Sequence, residues 1–119
     1  LNFSGMYRFI CLPLCDLLYV DDVVDFIHKA ITHQQASYEI YNVGYGESIS
    51  VKNIVEKIIH ISGKNLTIEH DLTKPSINTK LALISDKAFK ELGWKHQISI
   101  DEGIKKTIEW YKEHIKEDR

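Results

Sequence analysis

Asp21 and Asp22 stand side by side where a short apolar run passes into residues with helical spacing. Adjacent carboxylates are one way to build general acid and base chemistry, because the environment can push their pKa values apart. The same position allows a plainer role. Asp21 or Asp22 can accept hydrogen bonds from the free amides of a first helical turn, and its charge suits the positive end of the helix dipole. Capping is the expected role. Gly44-Tyr45-Gly46 opens another helix, but it lacks the third glycine and the acidic partner of a dinucleotide-binding fingerprint. It is expected to be a tight turn rather than a phosphate cradle. Cys11 and Cys15 are two thiols with no second pair, so they make neither a disulfide framework nor a zinc site. The histidines are scattered, with no His-x3-His or His-Glu-x2-His pair, and no metal site is expected.

The elements that would position these groups follow from periodicity. Leu17 to Val20 is short, branched and aromatic, and reads as a buried strand. Val23, Val24, Phe26, Ile27, Ala30 and Ile31 then form one apolar stripe of a helix running from about Asp22 to the polar residues Thr32 to Gln35. Tyr38 to Val43 alternates and reads as a strand ending in the glycine turn. Ser48 or Ser50 can cap the next helix, which carries Val51, Ile54, Val55, Ile58 and Ile59 and is ended by Gly63. Asn65 to His70 suggests a half-exposed strand, and Asp71 to Thr79, with Pro75, a loop. A short helix starts at Ser85 or Asp86 and stops at Gly93. Ser99 and Glu102 fit a capping box for the last helix, whose stripe is Ile100, Ile104, Ile108, Tyr111 and Ile115. Trp94, Trp110, Phe89 and Tyr111 are expected in the core rather than as a stacking platform. Residues 1–14 have no clear period and are expected to hold one irregular strand.

This order of elements is α/β, and 119 residues suit one domain spanning 1–119. A net charge of −2 offers no general attraction to nucleic acid or to an anionic membrane. The apolar run from Phe9 to Val20 is broken by Pro13 and Asp16 and is shorter than the ~20 residues of a membrane span. The cysteine usage suits a reducing cytoplasm. Leu1 in place of Met suggests a piece of a longer or processed chain.

Four segments in order carry a resemblance. Asp16-Leu17-Leu18-Tyr19-Val20-Asp21-Asp22-Val23-Val24 resembles the R-D-F-I-Y-V-D-D-V-V stretch of the extended short-chain dehydrogenase/reductases, the NAD-dependent nucleotide-sugar epimerases, dehydratases and reductases. Tyr41 to Ser50 resembles their Y-N-V-G-x-G-x-x-x-S. Lys74-Pro75, Lys80 and Asp86-Lys87-Ala88 to Leu92-Gly93-Trp94 are similar to their R/K-P loop and S-K-A-x-x-x-L-G-W. Ile98 to Ile104 with Trp110-Tyr111 resembles the closing S-L-x-E-G-L helix ending in W-Y. The Lys-Pro loop leans towards members that make GDP-fucose.

The resemblance implies the C-terminal, substrate-binding part of such an enzyme, with an NAD(P)-holding Rossmann domain elsewhere. It implies no catalytic residue and no cofactor contact in this chain, because none of the six tyrosines is followed four residues on by lysine. Of the cations that grip the nucleotide diphosphate in the family, Lys74 and Lys80 match two positions, while Cys15 stands where an arginine is usual. The implied partners are a nucleotide sugar and the Rossmann domain. In the family the Tyr38 to Val43 strand pairs with the Rossmann sheet, so the chain alone is expected to self-associate, as a homodimer or by strand exchange. The rival reading is a non-catalytic interaction or oligomerisation domain.

Overall fold

A computed structural model describes residues 7–8, 14–71, 73 and 79–115. Along the chain run β1 (Tyr7–Arg8), β2 (Leu14–Asp16), α1 (Val20–His33), β3 (Ser48–Ser50), α2 (Val51–Ser62), β4 (Ile68–Glu69), α3 (Asp86–Leu92) and α4 (Ile100–His114). The architecture is mixed α/β with short strands. β1 pairs in parallel with β4, Tyr7 opposite Ile68. β2 pairs antiparallel with β3, Cys15 opposite Ile49. On the other edge of β2 the Leu14 amide donates to the Thr79 carbonyl at 2.8 Å, and the Leu81 amide to the Leu14 carbonyl at 3.0 Å, so residues 79–81 lie beside β2 in parallel.

The expected strand at Leu17 to Val20 is displaced. Pairing partners face 14–16 instead, and helix α1 already begins at Val20. Tyr19, with extended φ −72° and ψ 143°, takes the cap position without a side-chain cap, and its carbonyl accepts from the amides of Asp22 and Val23. The other helix starts follow their local chemistry. Ser50 Oγ accepts from the Asn53 amide at 3.1 Å, and Ser99 Oγ from the Glu102 amide at 3.3 Å. Gly63 (φ 68°) and Gly93 (φ 64°) close α2 and α3 in the left-handed conformation that glycine adopts without a Cβ penalty.

The core lies between α1 and α3. Ala88, Leu92 and Trp94 are the buried apolar side chains among the described residues, with Leu18, Phe26, Ala30, Tyr41 and Val43 packed on them. Phe26 meets Trp94 and Tyr41 edge-on, at ring-centre distances of 5.6 and 5.8 Å. Phe89, Trp110 and Tyr111, expected inside, are instead more than half exposed. Their places on α3 and α4 face away from the α1 and α2 contacts. Helix α4 packs on α2, where Lys57 and Asp101 pair at 2.6 Å, and it runs close to Tyr19 at Gly103, whose added Cβ would lie 3.0 Å from Tyr19 Cδ2.

Helix α1 is covered on one side only. Laid out at about 100° per residue, Phe26 and Ala30 occupy the half of its apolar arc that meets the core. Val20, Val24, Ile27 and Ile31 occupy the other half and are 49–79% exposed. The Tyr38 to Val43 segment behaves similarly. Its burial alternates as expected of a strand, with Tyr41 and Val43 on the core and Tyr38 and Ile40 outward. No strand among the described residues pairs with it, so the alternation is present and the ladder is not.

Candidate functional site

The β2 strand and the chain around its end carry the candidate site. Asp16, the last residue of β2, accepts three backbone hydrogen bonds: Oδ1 from the Tyr45 amide at 2.7 Å, and Oδ2 from the amides of Gly46 at 3.0 Å and Leu83 at 2.9 Å. A carboxylate is an acceptor only, so it suits three converging donors. The turn can close this tightly because residue 44 is glycine. A Cβ there would sit 2.7 Å from Leu83 Cβ and 2.9 Å from Asp16 Oδ2. Ser85 Oγ accepts from the Gly44 amide at 3.1 Å and donates to the Gly44 carbonyl at 3.3 Å. The amides of Gly44, Tyr45 and Gly46 are therefore all engaged by the protein itself. The segment is a tight turn, and these groups offer nothing to a cofactor pyrophosphate.

Asp22 does not cap its own helix. Its carboxylate, on a residue only 2% exposed, accepts from the amides of Gln97 at 2.8 Å and Ile98 at 3.1 Å, and its backbone carbonyl accepts from Trp94 Nε1 at 3.1 Å. This placement has a physical cause. With α1 starting at Val20, Asp22 sits inside the first turn, and its side chain points to the chain between α3 and α4. Asp21 is exposed, and the pair is not arranged as an acid–base couple.

Lys80 lies opposite Leu14 in the parallel bridge and is exposed. Residues directly opposite across a ladder project to one face, and neighbours along a strand to opposite faces. Lys80 thus leaves from the face of Leu14, and Cys15, a free thiol, from the other. Lys80 therefore does not take the place of a cation at position 15. Lys74 lies outside the described residues. Among the described residues, two surface grooves, of about 570 Å³ between the end of α2 and β4 and about 300 Å³ between β3 and the start of α4, are not lined by Lys80. The second is already bridged by the Lys57–Asp101 pair.

A further polar cluster fastens the Tyr38 to Val43 segment to α3. Lys87 Nζ donates to Glu39 Oε1 at 2.6 Å and to the Ile40 carbonyl at 3.2 Å, and stands 5.1 Å from the Tyr41 ring centre. Tyr41 OH donates to Glu91 Oε2 at 3.0 Å. The Lys87 hydrogen bond holds the Glu39 carboxyl below its ordinary 4.5, and the Glu39 bond holds the Lys87 ammonium above its ordinary 10.5. Desolvation, followed by the bond to Glu91, raises the Tyr41 hydroxyl above its ordinary 10.0. Asp16, Asp22 and Lys87 escape a reading of local spacing, because their partners lie 29 to 76 residues away. For Asp16 one signal was available: a glycine turn with inward amides needs an acceptor.

Short strands and four helices among the described residues make a partial mixed α/β architecture, and the comparisons with known proteins give its family. The family model described as GDP-mannose 4,6 dehydratase matches residues 13–107, and the chain belongs to that family. A putative GDP-L-fucose synthase 2 of Arabidopsis thaliana is 32% identical over 103 residues, covering 87% of this chain and 31% of the relative. A UDP-glucuronate 4-epimerase of Thermodesulfobacterium geofontis is 36% identical over 102 residues, covering 84% and 31%. Among solved structures, the UDP-glucose 4-epimerase of Thermotoga maritima, determined with UDP-glucose, matches with a TM-score of 0.81 at 25% identity, over 93% of this chain and 35% of that one. The chain thus spans about a third of the length of these relatives. Among the described residues no helix is long and apolar enough to cross a membrane.

Proposed function

We propose that the chain is the C-terminal, nucleotide-sugar-holding part of an NAD(P)-dependent epimerase/dehydratase, with Lys80 and Lys74 as contacts to the nucleotide diphosphate. Lysine serves there as a point charge that offsets the phosphates, without the bidentate geometry an arginine would give. The cofactor, which supplies hydride transfer in such enzymes, belongs to the other part of the protein, as does the acid/base tyrosine. The glycine turn at 44–46 does not fit its pyrophosphate, since the turn's amides are spent on Asp16 and Ser85. The chain alone therefore holds substrate and does not turn it over, and a cytoplasmic setting keeps Cys15 reduced.

The observation that carries this reading is the half-covered apolar arc of α1 beside the Tyr38 to Val43 segment, which pairs with no strand among the described residues. Both suit a chain that packs against a sheet and covering layer from the rest of a longer protein, and the relatives are about three times as long as the chain. A helix with half its apolar arc in water leaves several side chains exposed, each worth about 1.5–3 kcal/mol when fully buried. The test is titration calorimetry of the chain with UDP-, GDP- and dTDP-linked sugars. One nucleotide is expected to saturate, with weaker binding in Lys80→Ala; no heat with any of them refutes the reading. The nucleotide that saturates also names the substrate class, including whether it is a GDP sugar.

The same exposed face favours a second reading, a non-catalytic interaction or oligomerisation domain derived from the family. Here a second copy covers Val20, Val24, Ile27 and Ile31 and pairs with Tyr38 to Val43, giving a homodimer. Light scattering that finds a monomer across a wide concentration range excludes it.

A further inference from the structure

We propose that Asp16 is the positioning residue of the nucleotide-sugar site: its carboxylate sets the register of the segment that carries Lys80. This rests on the reading of Lys80 as a diphosphate contact. Among the described residues, two backbone hydrogen bonds join 79–81 to β2, both to Leu14. In any such ladder a slip of one residue moves every side chain to the opposite face. For Lys80 that slip is decisive, because it would leave the Leu14 face for the Cys15 face. The third tie is the Leu83 amide on Asp16 Oδ2 at 2.9 Å, two residues further along both segments. The observed register is the one that brings that amide to the carboxylate.

The carboxylate is itself held. The Tyr45 and Gly46 amides fix its two oxygens from the side of the glycine turn, at 2.7 and 3.0 Å. Gly44 leaves the room that lets Leu83 and Asp16 approach. An amide in place of the carboxylate has the same shape and still fails, because its NH2 would face either the Tyr45 amide or the Gly46 and Leu83 amides, donor against donor. Asp16 therefore acts through Lys80 without touching the ligand.

A double-mutant cycle on the chain tests this, with UDP, GDP and dTDP as the probes in titration calorimetry. Asp16→Asn and Lys80→Ala are each expected to weaken the nucleotide that binds by about tenfold, and the double variant to bind no more weakly than Lys80→Ala alone, because the two changes remove one interaction. Separate effects that multiply to about a hundredfold, or an Asp16→Asn variant that binds like the parent, overturn the proposal. Hydrogen exchange on the unaltered chain needs no variant to fold. It is expected to show the Tyr45, Gly46 and Leu83 amides protected together, and a Leu83 amide that exchanges like open chain also overturns it. If the parent binds no nucleotide, the functional reading itself fails and takes this role with it. That outcome is distinct from a parent that binds and an Asp16→Asn variant that binds equally well.

Discussion

The Trp94 indole Nε1 donates to the backbone carbonyl of Asp22 at 3.1 Å across 72 residues of sequence, while the Asp22 carboxylate accepts from the Gln97 and Ile98 amides just beyond Trp94. This reciprocal clasp joins the start of α1 to the connection between α3 and α4. Trp94→Phe keeps a ring against Phe26 and removes the indole donor to the Asp22 carbonyl, for an expected loss of about 1–2 kcal/mol. Asp22→Ala strands two amides and should cost about 3 kcal/mol. Urea unfolding at unchanged slope reads both. Equal midpoints for parent and Asp22→Ala would show that the clasp contributes nothing.

Two glycines should respond differently to the same substitution. An alanine Cβ at Gly63 meets nothing within 4 Å, so Gly63→Ala costs only the left-handed backbone, about 1 kcal/mol. At Gly44 the added Cβ meets Leu83 and Asp16 below 3.0 Å, and Gly44→Ala should cost about 2–3 kcal/mol. Thermal unfolding of the two variants side by side checks the order, and a reversed order contradicts the geometry at Asp16.

The Lys87 cluster gives the attachment of Tyr38 to Val43 a pH window. Glu39 titrates below its ordinary 4.5 in the folded chain, so its contribution is present above that value and lost as pH falls through the lowered one. Lys87 and Tyr41 titrate above their ordinary 10.5 and 10.0, so theirs are present below those values and lost as pH rises through the raised ones. The amide chemical shifts of residues 39–43 should be flat between about pH 5 and 10 and move on either side. Lys87→Met should move the acid limb up towards the ordinary carboxyl value, as an NMR titration against pH would show.

The exposed half of α1 should tolerate charge. Val24→Lys and Ile31→Lys are expected to change the unfolding free energy of the chain by less than about 0.5 kcal/mol and to reduce any self-association seen by light scattering. Within a full-length relative that carries the rest of the family's length, the same changes should destabilise. A large loss in the isolated chain would mean that this face is already covered.

Legibility in the sequence followed the range of the interactions. Ser50 and Ser99 cap within three residues, and Gly63 and Gly93 end helices at their own positions, so all four were readable. Leu17 to Val20 read as a strand because its side chains are apolar and branched. The true strand, Leu14 to Asp16, is chosen by partners at 48–50 and 79–81 that local pattern does not reveal. The alternation of Tyr38 to Val43 was legible for the same reason that its pairing was not. Side-chain period is local, and a ladder needs a second strand. Of the candidate site, Lys80 stood out through resemblance to the family, whereas the role of Asp16 depends on Tyr45 and Leu83 meeting it in three dimensions.

The central claim is that this chain holds a nucleotide sugar along β2 and residues 79–81. An NMR titration of the chain with UDP-, GDP- and dTDP-sugars tests it most directly, following the amides of Cys15, Asp16 and Leu17 and of Thr79 to Leu81. The account predicts saturable shifts confined to those two segments with one of the nucleotides. Unmoved amides in both segments with all three would contradict it.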